Sequence, residues 1–416
     1  LETLHGRRFD ADGTDVRGED ITVPFESIAR NTKAKIMVWW NSLRLKSKDP
    51  LARCKAIESL TESHDPHAVE LCIASLTDDE AQVRRAVVRA LSQSKDGRAT
   101  EPLITALQDG NEGVREATAE ALRRITDDRV VHALTVTLRD PSGVVRTAAA
   151  SSLKHLGWRP ATQEDQALFE IALGHTRTAA GVGKSAVIPL LAELRNDTSF
   201  QRRAAAEALE GVDDPRRIGP LLAAARDPDP TVRVSAIYAL GSDSSVEVST
   251  MLVNTFADRD PLVRHAAAAV LAKRGDPAYG PCFCNLLGDS HFEVRLTAVQ
   301  FLGKLQDPQA AGVLSPLLQD PDNDVRQATA FALGGLGSPL AIEPLVLALI
   351  DEERTVRVAA ETALEQIDSQ WAASEAAQHA AAQLEASLKD NCAWVRSAAM
   401  QILAKLRAPE GCVNAG

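Results

Sequence analysis

Apolar and polar positions along the chain follow a helical rhythm that recurs at a fixed interval. Arginine falls at 53, 84, 115 and 146, and again at 202, 233, 264, 295, 326 and 357, every step within a run being 31 residues, with a last copy at Arg396. Leucine follows each arginine by seven positions, from Leu60 and Leu91 to Leu364 and Leu403, and Val or Ala precedes ten of the eleven. Six positions before the arginine stand Asp78, Asp109, Asp140, Asn196, Asp227, Asp258, Asp289, Asp320, Asp351 and Asp390, the first copy alone having Ser47. Self-similarity at such a period is the mark of a repeat array and takes precedence over element-by-element reading. Apolar residues around positions three, six, seven and ten after the arginine lie on one helical face.

Each repeat therefore predicts two short helices joined by an Asp-Pro or Asp-polar turn. The Asp side chain is expected to accept from free N–H groups where the second helix starts. Four or five buried side chains, at about 1.5 to 3 kcal/mol each, do not offset ordering a 31-residue hairpin at about 1 to 2 kcal/mol per residue. Such a hairpin is stable only when it leans on its neighbours.

The spacing Asp-x5-Arg-x-x-Ala-x-x-x-Leu resembles the bacterial HEAT-like repeats of the phycobilisome-lyase type, over residues 33 to 407. The resemblance implies an all-α fold, a right-handed α-solenoid or superhelix of about 11–12 two-helix repeats. It also implies a hydrogen-bonded ladder along the stack, with an architectural role for Asp109, Arg115, Asp140, Arg146, Asp227, Arg233, Asp258, Arg264, Asp289, Arg295, Asp320, Arg326, Asp351 and Arg357; Asp109 with Arg115, or Asp320 with Arg326, would take its places.

The period breaks twice. From Arg146 to Arg202 is 56 residues, which reads as a shortened, degenerate repeat or bend at 157–182. From Arg357 to Arg396 is 39, which adds to the first helix of the last repeat in the Ala-rich run Trp371 to Leu388, a lengthened cap. The expected organisation is a polar extended arm at 1–32, repeats over 33–156, the bend at 157–182, repeats over 183–407 and a tail at 408–416. Leu1 in place of Met leaves open an upstream portion, and the first residues lack the apolar run of a secretory leader.

A composition 45% hydrophobic but only 4% aromatic suits closely packed helices. The net charge of −11 argues against nucleic acid as a partner. Six scattered cysteines without a CxxC fit a reducing cytoplasm better than a disulfide framework. No apolar run reaches 18 residues, so direct membrane insertion is not expected. Thr178-Ala-Ala-Gly-Val-Gly-Lys-Ser185 resembles a phosphate-binding loop, but a helix precedes it where that loop needs a strand, and Pro189 keeps the repeat frame of Pro102, Pro220 and Pro344. No His-Glu pair exists, unlike the di-iron hydroxylases built from HEAT-like repeats. His64 and His67 beside Asp65 read as a turn and cap before a metal site, and Cys282 and Cys284 are too close for a usual zinc half-site. Repeats spread equivalent residues along the stack instead of converging them, so no catalytic, metal or cofactor residue is assigned and the chain is read as a non-enzyme.

Positions one, five and eight after the arginine face away from the core stripe. Early repeats place charge there (Arg85, Arg89, Glu116, Glu120, Arg123, Arg203, Glu207, Glu210). Later ones place Val234, Tyr238, Gly241, His265, Ala269, Leu296, Gln300, Gly303, Phe331, Gly334, Val358 and Thr362. A solvated helix face is normally charged, so this contrast points to a protein partner bound along a concave face, with Tyr238 and Phe331 as anchors over glycine floors. Tight curvature burying the strip is the alternative. The expected function is an interaction scaffold or assembly factor within a larger complex. A subunit of a bilin or cofactor lyase, and a regulatory or sensor module, remain alternatives.

Overall fold

The computed structural model describes residues 25–62, 66–94, 96–390 and 392–407, with backbone alone for 25–34 and 66. His64, Asp65, Cys412, residues 1–24 of the expected arm and the tail from 408 lie outside them. Among the described residues every regular element is a helix. Two compact units divide between His175 and Thr176.

In the first unit the helices run α1 (Phe25–Arg44), α2 (Pro50–Thr61), α3 (Pro66–Ala74), α4 (Ala81–Gln93), α5 (Thr100–Ala106), α6 (Glu112–Leu122), α7 (Asp128–Thr137), α8 (Gly143–His155) and α9 (Gln163–Ala172). In the second they run α10 (Thr176–Ala180), α11 (Val187–Glu193), α12 (Ser199–Glu210), α13 (Ile218–Ala224), α14 (Pro230–Ala239), α15 (Val246–Asn254), α16 (Pro261–Arg274), α17 (Gly280–Leu286), α18 (Phe292–Lys304), α19 (Ala311–Leu314), α20 (Asn323–Leu336), α21 (Ile342–Ala348), α22 (Arg354–Ile367), α23 (Glu375–His379), α24 (Ala381–Ser387) and α25 (Ala393–Arg407). Both units are α-solenoid stacks in which each hairpin packs on the next. The second helices, α2, α4, α6 and α8 in one unit and α12, α14, α16, α18, α20 and α22 in the other, pack on one another more extensively than the first helices do.

The period-31 pattern supplies the core. Val83, Val114, Val145, Val232, Val263, Val294, Val325 and Val356, each directly before its arginine, are wholly buried. The leucines seven positions on, such as Leu122, Leu209 and Leu333, are buried beside them. At the third position the residue is Ala in most repeats, Val at 87 and Thr at 118 and 329; both threonines are buried, and their hydroxyls donate to Val114 O and Val325 O at 2.7 Å. A small residue with no unpaired polar atom is what that contact requires.

The repeated arginine acts twice. Its Nη1 donates to the backbone carbonyl six residues back in its own repeat, from Arg53 on Ser47 at 2.8 Å through Arg202 on Asn196 at 2.9 Å to Arg396 on Asp390 at 2.7 Å. Its other N–H groups reach the Asp carboxylate of the following repeat, 25 residues ahead. Arg53 with Asp78, Arg84 with Asp109, Arg115 with Asp140, Arg202 with Asp227, Arg264 with Asp289, Arg295 with Asp320 and Arg326 with Asp351 are two-pronged, at 2.6–3.1 Å. Arg233 engages Asp258 through Nη2 at 2.7 Å. The carboxylate partner of Asp109 is thus Arg84 and that of Asp320 is Arg295, while Arg115 and Arg326 take only the carbonyls of those aspartates.

This geometry accounts for the exceptions. A carbonyl serves from any residue, so Ser47 and Asn196 suffice where the position 25 residues upstream is not arginine but Thr22 or Ile171. At the other end of each break the arginine finds no carboxylate 25 ahead: that residue is Ile171 for Arg146 and Ala382 for Arg357. The Arg357 guanidinium instead lies over the Trp394 ring, 4.7 Å from its centroid.

Three expectations are corrected. The repeated Asp is not the N-cap of the second helix: its Oδ1 accepts from the N–H two residues on, as Asp78 does from Glu80 at 2.9 Å, and shapes the turn while its carboxylate serves the ladder. The caps stand two residues later, at Asp49, Asn111, Thr198, Asp229, Asp260 and Asp322. Helix α1 starts at Phe25, so residues 25–32 are helical and not part of an extended arm. The run from Trp371 is not one long helix, because Ser374 accepts from Ala377 N–H and starts a new helix, and α23 and α24 follow as separate pieces.

Candidate protein-interaction face

The second helices α14, α16, α18, α20 and α22 carry the candidate residues in two registers one helical turn apart. Val234, His265, Leu296 and Val358 occupy the first position after the arginine, and Tyr238, Gln300 and Phe331 the fifth. Tyr238, Gln300, Phe331 and Val358 are exposed, Phe331 at 49% and Val358 at 51%, whereas Val234, His265 and Leu296 are half-buried. His265 is tied to the next repeat, its Nδ1 lying 3.2 Å from Thr297 Oγ1. Tyr238 and Phe331 stand three repeats apart, about 30 Å at the 8–10 Å spacing of packed helices. They are separate footholds on a long surface and do not close one pocket.

The glycines of this strip have another role. A Cβ on Gly303 would come 2.7 Å from Ala332 Cβ, and one on Gly334 would come 2.8 Å from Ala363 Cα and 2.6 Å from Gln366 Oε1. One on Gly241 would meet Tyr238 O at 2.9 Å, and Gly334 is itself buried. The eighth position therefore lies at the contact between successive second helices, and the expected glycine floor is a packing surface. Small residues there let α18, α20 and α22 approach closely.

Charge sets the early repeats apart. Arg85, Arg89, Glu120, Arg123 and Glu210 are exposed, and Arg203 bridges to Glu207 at 3.6 Å with its guanidinium 5.6 Å from the Phe200 centroid. From α14 onward the first and fifth positions carry no Asp, Glu, Lys or Arg.

The titratable groups with displaced equilibria belong mainly to turns and ladder. Burial would raise the carboxyls of Asp78, Asp109, Asp227, Asp258 and Asp289, but the arginine and a backbone N–H outweigh it and hold them below the ordinary range. Asp214 falls to about 2 through its hydrogen bonds with Arg216. Among the described residues no group of three or more His, Cys, Asp or Glu is placed to hold a metal. His67 is exposed, 3.4 Å from Glu70. The phosphate-loop-like segment begins inside α10, turns at Gly183, where φ is +88°, and ends before α11, so a helix and not a strand leads into the glycine turn. Cys282 and Cys284 are half-buried free thiols. No helix among the described residues is long and apolar enough to cross a membrane.

One exposed apolar group was not signalled by the repeat register: Ile36, Trp39, Trp40 and Leu43 on α1. Their spacing of three, four and seven marks one helical face, but the repeat frame specifies only the opposite, core-facing side of this first helix.

The pattern described as HEAT repeats matches residues 41–112, 73–154, 187–272 and 248–328, and the PBS lyase HEAT-like repeat matches 325–351. No curated protein matches the chain. Among solved structures, a chain from a homology model of the full-length AP-3 complex in an intermediate open conformation is 11% identical, with 90% of this chain and 85% of that one covered at a TM-score of 0.52. A chain from a structure of Kap95p bound to RanGDP is 13% identical, with 94% and 61% covered and a TM-score of 0.37. Human deoxyhypusine hydroxylase in complex with glycerol is 22% identical, with 75% and 99% covered and a TM-score of 0.28. The AP-3 chain shares the fold and no more is drawn from these likenesses. HEAT repeats account for more than half of the sequence, and the chain belongs to the HEAT repeat family.

Proposed function

We propose that this protein is a non-catalytic interaction scaffold that binds an extended or helical protein segment along the second-helix face of α14 to α22. The observation that carries the reading is that from α14 onward the first and fifth positions hold no charged residue, while Tyr238, Phe331 and Val358 stand exposed at those recurring positions. Aromatic side chains at separated points on a long surface suit a partner with apolar anchors several turns apart, and suit a small ligand poorly. Membership in a larger assembly and a cytoplasmic setting belong to the same proposal, the latter favoured by the free thiols at Cys54, Cys72, Cys282, Cys284 and Cys392. The lyase-type match covers a single hairpin whose arginine and aspartate are ladder residues, so it does not favour pigment chemistry.

The test is affinity capture with wild-type protein and the Tyr238→Glu, Phe331→Glu double variant, quantified by mass spectrometry. Proteins retained by the wild type are expected to be lost from the variant while its helical circular dichroism is unchanged. Equal capture by both removes the assignment.

A further inference from the structure

Helix α1 has two apolar faces, and the stack uses one of them. Val38, 8% exposed, and Asn41, 2% exposed, face inward; Asn41 Nδ2 donates to Ser59 Oγ on α2 at 2.9 Å, and Leu45 packs against the same core. On the opposite side Ile36 and Trp39 are each 61% exposed, Trp40 57% and Leu43 47%. At 100° per residue these four cover an arc of about 100° centred on Ile36, while the buried residues lie about 140° or more away. The two indole rings sit side by side with centroids 6.4 Å apart. An exposed stripe at helical spacing with two adjacent tryptophans needs a covering surface.

Charge selects what covers it. Between Ser27 and Lys48 the chain has six cations, Arg30, Lys33, Lys35, Arg44, Lys46 and Lys48, and neither Asp nor Glu, in a molecule of net charge −11. On α1 Lys35 falls on one edge of the stripe and Arg44 on the other, and Lys46, exposed in the turn that follows the helix, adds a third cation at its end. A second copy of this helix would bring cation against cation. Tryptophan, isoleucine and leucine with flanking lysines form the pattern of a helix lying in the headgroup boundary of an anionic bilayer, where indoles sit at the interface and lysine stems extend to phosphates. The stripe is also a convex ridge on a helix pinned by its other side. A deformable lipid surface receives such a ridge without a preformed groove.

We infer that the exposed face of α1 is a peripheral anchor for anionic phospholipid, through Ile36, Trp39, Trp40 and Leu43, with Lys35, Arg44 and Lys46 contacting headgroups. This is adsorption and not spanning. It is independent of the partner face on α14 to α22.

Flotation of the full chain with phosphatidylcholine vesicles that do or do not contain phosphatidylserine tests it. Wild-type protein is expected to float with the phosphatidylserine vesicles, to dissociate as salt rises, and to bind the neutral vesicles roughly tenfold or more weakly, since basic residues near an anionic surface add attraction that salt screens. Trp39→Glu with Trp40→Glu should abolish flotation and Lys35→Glu with Lys46→Glu should reduce it about tenfold or more, both with wild-type melting curves. Tyr238→Glu with Phe331→Glu should float as the wild type does, which separates this inference from the proposed partner face. Equal flotation on both vesicle types, or retained flotation of the tryptophan variant, overturns it. So does a wild type that ignores vesicles but forms a concentration-dependent dimer that the tryptophan variant loses, because the face would then be a contact between copies.

Discussion

Removing one carboxylate from the ladder should unlock two repeats at once, and Asp320→Ala is the clearest case. Asp320 is 8% and Arg295 9% exposed. The carboxylate accepts from Arg295 Nε at 2.7 Å, from its Nη2 at 2.6 Å and from Asp322 N–H at 2.9 Å, while Arg295 Nη1 remains on Asp289 O at 2.8 Å. Truncation leaves a buried guanidinium with one of three contacts. Breaking a buried pair by removing one partner costs about 3–5 kcal/mol, most of it from the charge left behind. For a unit of this size that corresponds to a fall in Tm of about 6–20 °C. Thermal melts give the total, and native-state hydrogen exchange shows where it falls: protection should drop in α18, which carries Arg295, and in α20, which follows the turn that holds Asp320. The double variant Arg295→Met, Asp320→Ala removes the orphaned charge and should be more stable than Asp320→Ala alone. Glu352, exposed and 3.5 Å from Arg326, is the control, and Glu352→Ala should change stability by less than about 0.5 kcal/mol. A loss below about 1 kcal/mol for Asp320→Ala, or a double variant no better than the single, would refute the reasoning.

Gly334→Ala places a Cβ 2.8 Å from Ala363 Cα and should destabilise by about 1–3 kcal/mol, whereas Gly335→Ala meets nothing within 4 Å and should be neutral or stabilising by up to about 1 kcal/mol; equal effects in chemical denaturation would contradict the packing role. The depressed carboxyls of Asp78, Asp109, Asp227, Asp258 and Asp289 stabilise the fold fully above the unfolded value near 3.9, and that contribution is lost as pH falls through their lower folded values. Melting temperature should therefore hold steady down to about pH 5 and drop steeply below about pH 4, and a main loss near pH 6 would point to other groups. Burial pushes the Cys72 thiol up to about 11, so a thiol reagent at mildly alkaline pH should label exposed Cys392 promptly and Cys72 only as fast as the first unit opens; matching rates would contradict that burial.

The arginine and leucine register made the hairpins readable because every copy solves the same packing problem with the same residue types. Direction was not readable. Asp109 lies six residues before Arg115 and 25 after Arg84, and sequence proximity favours the nearer arginine, but only the farther one reaches its carboxylate across the stack. The capping assignment failed for a related reason: with acidic or polar residues at both 227 and 229, or 320 and 322, the pattern does not say which one meets the helix start. On the candidate face, helical angles placed Tyr238 and Phe331 outward but gave no hint that Gly303 and Gly334 sit against the next helix, since an angle on one helix carries no information about how closely its neighbour approaches. The exposed pair Trp39 and Trp40 was not legible because the repeat frame specifies only the face that recurs from hairpin to hairpin, and theirs does not recur.

Spin-label distances along the fifth-position register test most directly the claim that equivalent residues of successive hairpins form a stacked column. With the native cysteines replaced, one label at residue 238 is paired in turn with labels at 300, 331 and 362, which lie two, three and four repeats away. Stacking at the 8–10 Å of packed helices predicts separations that lengthen at each step, from about 20 Å to about 30 Å and on toward 40 Å, shortened somewhat by curvature. Distances that stay constant or fall from one repeat to the next would contradict the stack and, with it, the interaction face built on it.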